Sequence, residues 1–243
     1  MDEALAFSHA LEEACAGRVE PFAYGRGFFR DELPGVWDLN FLRVERGEPT
    51  AGELVGEADR MMSALDHRRV TVDDATLAGR LEPGFPELGW AIERHLVMEH
   101  RRPPDPAHEV PAAAEASWDE LRPLRDELNG RRGFADGAAL GAITAAAVPT
   151  RHFAAFVDGV PVSSCDLYSR GGIGQIEDVA TLEEHRGHGL ATAVVLAALA
   201  ASQAEGNRLT FLIADADDLV YRLYERLGFE TTGRRWRFQR LPA

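Results

Sequence analysis

The chain has 243 residues, 45% of them hydrophobic, and carries 26 basic residues against 40 acidic ones, for a formal net charge of −14. This length allows one large domain or two ordinary domains, each with its own core. The acidic balance disfavours a nucleic-acid partner, because phosphate binding needs a concentrated basic surface.

Several features that the sequence lacks limit the chemistry and the location that we expect for this chain. All 26 basic residues are arginine, which excludes Walker-type phosphate loops, pyridoxal enzymes and Schiff-base aldolases, since each needs a lysine. No run of about 18 apolar residues is present, and the first residues do not look like a signal peptide. The two cysteines, Cys15 and Cys165, lack metal-ligand spacing. We therefore expect a cytoplasmic protein with buried thiols, no metal and no membrane contact.

The first part of the chain alternates strand-like and helix-like segments. Apolar periodicity predicts a helix Glu3–Ala16, two strands within residues 20–45, a helix Ala51–Leu65, a strand Arg68–Asp73, a helix Ala75–Leu81 and a hairpin Gly89–His100. The stretch His100–Pro111 then carries four prolines, which cannot continue a helix or a central strand. We place a domain boundary near Pro104, giving domains 1–104 and 105–243.

The second part repeats a similar order. The predicted elements are a strand His108–Ala112, a helical segment Ala114–Gly130 kinked or broken at Pro123, strands 151–159 and 160–169 joined by the Asp158–Gly159 turn, a strand Ile173–Leu182, a helix Leu190–Gly206, a strand Arg208–Asp215, a helix Asp218–Gly228 and a strand Arg234–Leu241. Each half ends its last helix in a Leu-Gly-aromatic sequence before a strand. The shared order predicts two copies of one fold without a sequence repeat.

The turn between Leu182 and the alanine-rich helix suits an anion. Gly187 and Gly189 can adopt strained conformations and let a ligand approach the backbone. The helix start that follows presents unpaired amide donors and a partial positive charge, as a phosphate requires. A plain tight turn is the alternative at this point, because short glycine motifs give many false positives.

The surrounding pattern resembles the GCN5-related N-acetyltransferase (GNAT) family. Its acetyl-coenzyme A motif is Arg or Gln, two residues, Gly, one residue, then Gly or Ala, and its last helix ends in a Tyr and Gly-Phe cluster. The matching residues are Arg186, Gly189 and Ala191 for the motif and Leu223, Tyr224, Gly228 and Phe229 for the cluster. The resemblance covers His108 to Ala243 and implies an α/β fold with a mixed, mostly antiparallel twisted sheet flanked by helices, in two tandem domains.

The resemblance also implies a binding mode for acetyl-coenzyme A (acetyl-CoA). The turn would cradle the pyrophosphate with its backbone amides, and the edge of the preceding strand would pair with the pantetheine arm. The expected cofactor-binding residues are Val179, Ala180, Thr181, Arg186, Gly187, His188, Gly189, Leu190 and Ala191.

Two catalytic roles follow from the resemblance. Tyr224 stands where the family places a general acid for the departing thiolate, and a phenol stays protonated at neutral pH. Tyr221, on the same helix face, is the alternative. For the base we favour Glu177 over Asp178, because strand alternation puts Glu177 on one face with Val179 and Thr181. A water chain in place of one fixed base remains open.

The domain 1–104 resembles a degenerate GNAT-like domain without a phosphate loop. Where that loop would fall, Glu45, Glu48 and Glu53 would repel a pyrophosphate. The alternating arginines of the last strand, including Arg235 and Arg237, are interpreted as a solvated face.

The implied function is direct acetyl transfer from acetyl-CoA to a primary amine, with a small molecule as the acceptor, by a monomer or a homodimer. A non-catalytic acyl-CoA sensor and a protein amino-terminal acetyltransferase are the alternatives.

Overall fold

The structure is a computed structural model that describes residues 2–105 and 110–241. The chain divides into two compact units, which we call the N-terminal and the C-terminal unit. The N-terminal unit comprises Ser8–Leu96, Ala214–Asp218 and Gly233–Ala243, and the C-terminal unit comprises Met1–Phe7, Val97–Ile213 and Leu219–Thr232. The ranges 1–104 and 105–243 stay a prediction, because the compactness of the units is no test of independent folding.

The elements up to residue 100 largely follow the predicted order. They are α1 Glu3–Cys15, β1 Arg18–Phe22, β2 Gly25–Phe29, a 3₁₀ turn Trp37–Leu39, β3 Phe41–Val44, α2 Ala51–Met61, β4 Arg68–Val72, α3 Ala75–Leu81, α4 Gly84–Glu87 and β5 Ala91–His100. Residues 20–45 thus hold parts of three strands instead of two. The prediction of a hairpin at Gly89–His100 is wrong. Strand β5 is continuous, because no Gly, Pro, Asn or Asp interrupts it to form a turn.

The remaining elements add one helix that was not predicted. They are β6 Ala113–Ala116, α5 Trp118–Arg131, α6 Gly137–Ala147, β7 Thr150–Val157, β8 Val160–Arg170, β9 Ile173–Thr181, a 3₁₀ turn Glu183–His185, α7 Leu190–Ala204, β10 Leu209–Asp215, α8 Tyr221–Arg226 and β11 Phe229–Arg240. The predicted strand His108–Ala112 lies partly outside the described residues, and residues 110–112 are not in a strand. Helix α5 runs unbroken through Pro123, starting from a capping box of Ser117 and Glu120.

Each unit is built on a mixed, mostly antiparallel sheet with helices packed on it, which confirms the predicted fold class. In the N-terminal unit, β1 to β4 lie in chain order, followed by β11; among these neighbours β3 and β4 are parallel and the other pairs are antiparallel. In the C-terminal unit the order is β10-β9-β8-β7-β6; among these neighbours β9 and β10 are parallel and the other pairs are antiparallel. Each parallel pair is connected by a helix, α2 in one unit and α7 in the other.

The sheet of the N-terminal unit has one apolar and one charged face. On the apolar face, Phe85 stacks on Phe238 with 4.0 Å between ring centroids. The charged face carries the arginine layer, which consists of Arg43, Arg69, Arg235 and Arg237. Each member is paired with carboxylates of the same unit. Arg235 is only 2% exposed, so the interpretation of the last strand's arginines as a solvated face is wrong for this residue.

Helix α7 packs closely on the sheet of the C-terminal unit. The thiol of Cys165 on β8 donates to the carbonyl of Val194, 3.2 Å away. Near the end of the helix, Ser202 lies so close to Gly174 of β9 that a Cβ on this glycine would be 2.3 Å from the serine oxygen. Small residues on both elements permit this approach, which explains the alanine-rich sequence of α7.

No helix in the described part of the chain is long and apolar enough to cross a membrane.

His95 gives the N-terminal unit a pH-dependent stability. Burial, and then the charges of Arg237, Arg235 and Arg69, lower the pKa of this imidazole from 6.5 to about 3. Between these two values the unfolded chain holds a proton on this side chain that the folded chain does not hold. The free energy of unfolding therefore falls as the pH drops through that window.

We expect His95→Gln to reduce this acid sensitivity. Between pH 6.5 and pH 5 the unmodified protein should lose about 1–2 kcal/mol more of its unfolding free energy than the variant. Denaturant unfolding at each pH measures the difference, and His188→Gln, at an exposed imidazole, serves as the control. Parallel pH curves for the His95 variant and the unmodified protein would contradict the assignment.

Candidate functional site

The parallel strands β9 and β10 are paired only at their beginnings. Their register runs from Ile173 opposite Leu209 to Ile176 opposite Leu212 and goes no further within the described chain. The rest of β9, up to Thr181, is paired with β8 on its other side. The β10-facing edge of residues 177–181 is therefore open to a ligand that can hydrogen-bond to a strand.

The turn after β9 has the conformation that its glycines predict. Gly187 and Gly189 have φ angles of 81° and 77°, which residues with a side chain rarely adopt. Gly189 is the N-cap of α7 and makes no side-chain cap, whereas α2 and α5 begin with capping boxes. The first amides of α7 thus remain available to an external acceptor, such as an anion.

A cavity of about 320 Å³ lies at this helix start. It is lined by Thr181, His185, Arg186, Gly187, Gly189, Leu190, Ala191, Thr192, Leu223 and Arg226. Although the chain has 14 more acidic than basic residues, these ten include two arginines, one histidine and no carboxylate. Their charge favours an anionic ligand.

The cavity brings together six of the nine predicted cofactor-binding residues. These six are Thr181, Arg186, Gly187, Gly189, Leu190 and Ala191, whereas Val179, Ala180 and His188 are not among the lining residues. The sequence reasoning did not include Arg226, His185, Thr192 or Leu223 in the anion site. Arg226 follows Leu223 by one helical turn on α8, so i, i+3 spacing from that matched leucine could have identified it.

Arg226 and Arg186 are both available to a ligand. In the part of the chain that the structure describes, neither forms an ion pair with a carboxylate, although Arg186 donates from Nε to the carbonyl of Thr181 at 3.4 Å. Both guanidinium groups can therefore approach a phosphate without first breaking a salt bridge.

Tyr224 lies on α8 next to the cavity-lining Leu223. The residue is 6% exposed, and its ring meets Phe229 edge to face with 6.3 Å between centroids. Gly228 between them has a φ of 89°, and a Cβ there would stand 1.9 Å from the carbonyl oxygen of Arg102. The Leu-Gly-Phe sequence thus has a packing reason besides its resemblance to a family motif.

Strand β9 contains a β-bulge that the sequence did not reveal. Opposite β8, Glu177 pairs with Asp166 and Ala180 with Ser164, so two residues of β9 face Cys165 alone. Within the bulge, Asp178 has a φ of 51°. The extra residue reverses the alternation of faces, so Glu177 shares the α5 side with Asp166, whereas Thr181 contacts Ser163 on the α7 side. The shared-face argument for Glu177 is therefore wrong.

Glu177 belongs to a polar group of side chains on the α5 side. Its carboxylate accepts a hydrogen bond from the side-chain amide of Gln175. Burial, and then the charges of Asp178, Asp166 and Glu177, raise the pKa of Tyr168 well above its ordinary value. The phenol of Tyr168 therefore stays protonated among these carboxylates, next to the predicted base.

The helix start that corresponds to this site in the N-terminal unit is closed by its own side chains. In the capping box of α2, the carboxylate of Glu53 accepts from the amide of Thr50 at 2.8 Å, and it also accepts from the hydroxyl of Tyr24 at 2.8 Å. The parallel pair β3 and β4 stays in register to the ends of both strands, at Val44 and Val72. Neither an open strand edge nor an uncapped helix start is present between these strands in the described residues.

The comparisons with known proteins agree with this geometry. Residues 110–229 match the acetyltransferase (GNAT) family. This part of the chain is a GNAT domain, which confirms the resemblance seen in the sequence. A search of curated proteins finds no match.

Solved structures with the same fold cover between 79% and 98% of this chain. A functionally unknown conserved protein from Staphylococcus epidermidis has 16% identity and a TM-score of 0.67, and the match covers 94% of this chain and 95% of that one. A GCN5-related N-acetyltransferase from Kribbella flavida has 20% identity and a TM-score of 0.62, with 98% and 93% coverage. A tandem GNAT protein from the clavulanic acid biosynthesis pathway has 16% identity and a TM-score of 0.54, with 79% and 70% coverage. The N-terminal half thus resembles that of tandem GNAT proteins.

No group of three or more His, Cys, Asp or Glu side chains that could hold a metal ion occurs in residues 2–105 and 110–241.

Gly228→Ala should destabilise the C-terminal unit strongly. The new Cβ would meet a backbone carbonyl in a conformation that already disfavours side chains, so we expect a loss of about 3 kcal/mol or more in unfolding free energy. Gly206→Ala is the matched control, because Gly206 also has a left-handed φ, of 78°, but open space around it. It should cost only about 1 kcal/mol. Equal losses in denaturant unfolding would show that the clash with Arg102 is absent.

Proposed function

We propose that the chain is an N-acetyltransferase that transfers the acetyl group of acetyl-CoA directly to a primary amine of a small molecule. The observation that carries this proposal is the cavity at the uncapped start of α7, which is lined by Arg186 and Arg226 in a strongly acidic chain. The cavity adjoins the open edge of β9. A phosphate group and an extended amide arm, the two ends of the acetyl-CoA tail, match these two features.

The residues of the turn would bind the phosphates. The amides from Gly187 to Ala191 have no side-chain cap to compete with, and Arg186 and Arg226 add charge. His185 and Thr192 also line the cavity and could donate to phosphate oxygens. The cofactor supplies an activated acetyl thioester, and the edge of Val179–Thr181 would orient the arm that carries it, with amides directed at the thioester oxygen.

Proton transfers would involve Tyr224 and Glu177. A phenol on α8 can give a proton to the departing thiolate, and its near-complete burial would hold it in place. Glu177 would accept a proton from the acceptor amine on the α5 side of the sheet, the side on which its carboxylate lies. A water chain in place of this one fixed base is the alternative. The acidic surroundings of that side, with Asp166 and Asp178, favour a cationic acceptor.

The two buried cysteines, Cys15 and Cys165, accord with a reducing compartment such as the cytoplasm, which we include in the proposal.

Reversal of one charge in the cavity should weaken acetyl-CoA binding. We expect Arg226→Glu to raise the Kd by about tenfold or more, because a carboxylate would repel the phosphates. Arg222→Glu should change the Kd by less than about twofold, since Arg222 is an exposed residue of the same helix that does not line the cavity. Isothermal titration with acetyl-CoA measures both variants.

Absence of binding by the unmodified protein would refute the proposal, and equal effects of the two substitutions would place the phosphates elsewhere.

Removal of one hydroxyl should separate transfer from binding. Tyr224→Phe keeps the ring that packs on Phe229, so we expect an unchanged Kd for acetyl-CoA and a kcat lowered by about a hundredfold. Tyr221→Phe is the control and should leave kcat nearly unchanged. The assay follows thiol release with a panel of small amines and, separately, with peptides. A protein that binds acetyl-CoA but acetylates neither group would be a sensor, and one that acetylates only peptide amino termini would be a protein acetyltransferase.

A further inference from the structure

The bulge of β9 depends on a residue that is rarely found in its conformation. Among the described residues, only Asp158 and Asp178 combine a side chain with a positive φ. Asp158 lies in the two-residue turn between β7 and β8, where this conformation is usual. Asp178 lies inside a strand, where a left-handed residue costs about 1–3 kcal/mol and persists only if its surroundings hold it.

The side chain of Arg125 pairs with the carboxylate of Asp178. From helix α5, Nη1 of Arg125 lies 3.2 Å from a carboxylate oxygen of Asp178, and Nη2 lies 2.6 Å from Asp166 on β8. Asp166 also contacts Nδ1 of His152 on β7, at 2.8 Å. One guanidinium group thus ties the bulge of β9 to its neighbouring strand.

The environment makes this contact strong. Arg125 is 8% exposed. Burial alone would lower the pKa of its guanidinium, but the charges of Asp166 and Asp178 outweigh burial and raise it. Water screens the pair with Asp166 little, because both side chains are buried, and an arginine fork can hold two carboxylates in fixed directions.

The bulge decides which backbone amides face the open edge of β9. The amide of Leu182 donates to Val162 on the β8 side at 2.9 Å, so alternation directs the amides of Thr181 and Val179 to the other side. If the bulge were absent and Glu177 stayed opposite Asp166, the alternation would be reversed, and the amides of Val179 and Thr181 would face β8 instead. The conformation of Asp178 is therefore a condition for the arrangement of the edge.

We propose that Arg125 is a positioning residue that sets this edge by holding Asp178 in its left-handed conformation. The proposal rests on the proposed function in one respect: the edge matters for turnover only if the acetyl thioester lies there. Arg125 itself contacts no reacting atom. It acts through the bulge, which presents the amides of Val179 and Thr181 in fixed directions.

Glycine at position 178 separates this role from general stability. Because glycine adopts the left-handed conformation without strain, Asp178→Gly should make Arg125 dispensable for the bulge. In the otherwise unmodified chain, Arg125→Gln should increase hydrogen exchange of the amides of Ala180 and Leu182, which face β8, by about tenfold. In the Asp178→Gly background the same substitution should increase it less than about threefold.

Two further variants keep the test decisive. Arg131→Gln removes another arginine of α5 that pairs with carboxylates and should leave exchange at Ala180 and Leu182 unchanged. Asp178→Asn removes the charge of a side chain that is 58% exposed, so it should fold even if Arg125→Gln does not. It should increase exchange at the bulge, whereas Asp178→Gly should not.

Turnover gives the second measurement. Arg125→Gln should lower kcat about tenfold and raise the Kd for acetyl-CoA by less than about threefold, because the phosphate contacts at the start of α7 stay in place, and Asp178→Gly should suppress the loss of kcat. Exchange that is equal in the Arg125 and Arg131 variants, or that is equally raised by Arg125→Gln in both backgrounds, would overturn the proposal. If the unmodified protein acetylates no amine, the proposed function fails, but the exchange results still decide the role of Arg125.

Discussion

The amides at the start of α7, which receive no side-chain cap from Gly189, are the constraint on which the site depends. The first amides of any helix have no partner within the helix, and most helices supply one from a nearby side chain. Here Gly189 occupies the cap position and has no side chain to offer. The cavity at this helix start and the short pairing of β9 with β10 leave room for a ligand near those amides. The glycine turn thus leaves these donors without a side-chain cap and next to a cavity that an acceptor can enter.

The N-terminal unit has the same strand-helix-strand connection, but its helix start is closed. Its parallel pair stays closed, and the capping box of Thr50 and Glu53 satisfies the start of α2. In this unit a buried arginine is paired with carboxylates instead. The side chain of Arg43 is 1% exposed and forms ion pairs with Glu12, Glu13 and Glu45. A chain without lysine can bury cations in this way, because a guanidinium group offers several donors in one plane. The start of α2 is therefore closed by the chain's own side chains, whereas the start of α7 opens to a cavity.

The sequence predicted the parts of the fold and site that depend on local signals. The Asp158–Gly159 turn, the helix Ala75–Leu81 and the glycine turn before α7 follow from residues that favour one backbone conformation. The errors occur where tertiary contacts decide. In the sequence, Asp178 cannot be distinguished from an ordinary strand residue. The arginine that holds it, Arg125, lies on a helix far earlier in the chain. Likewise, Arg235 alternates with apolar residues as a solvated arginine would, yet it is buried by pairing with Glu12 and Asp73.

The capping box of α2 has a consequence for how the molecule responds to its surroundings. A ligand that occupies a folded site stabilises that fold in proportion to the logarithm of its concentration. The carboxylate of Glu53 is covalently part of the chain, so its contribution at the start of α2 is the same at every ligand concentration. The start of α7 has no such built-in partner. On the proposed function, local opening of α7 therefore becomes rarer as the supply of acetyl-CoA rises, whereas the start of α2 is insensitive to that supply.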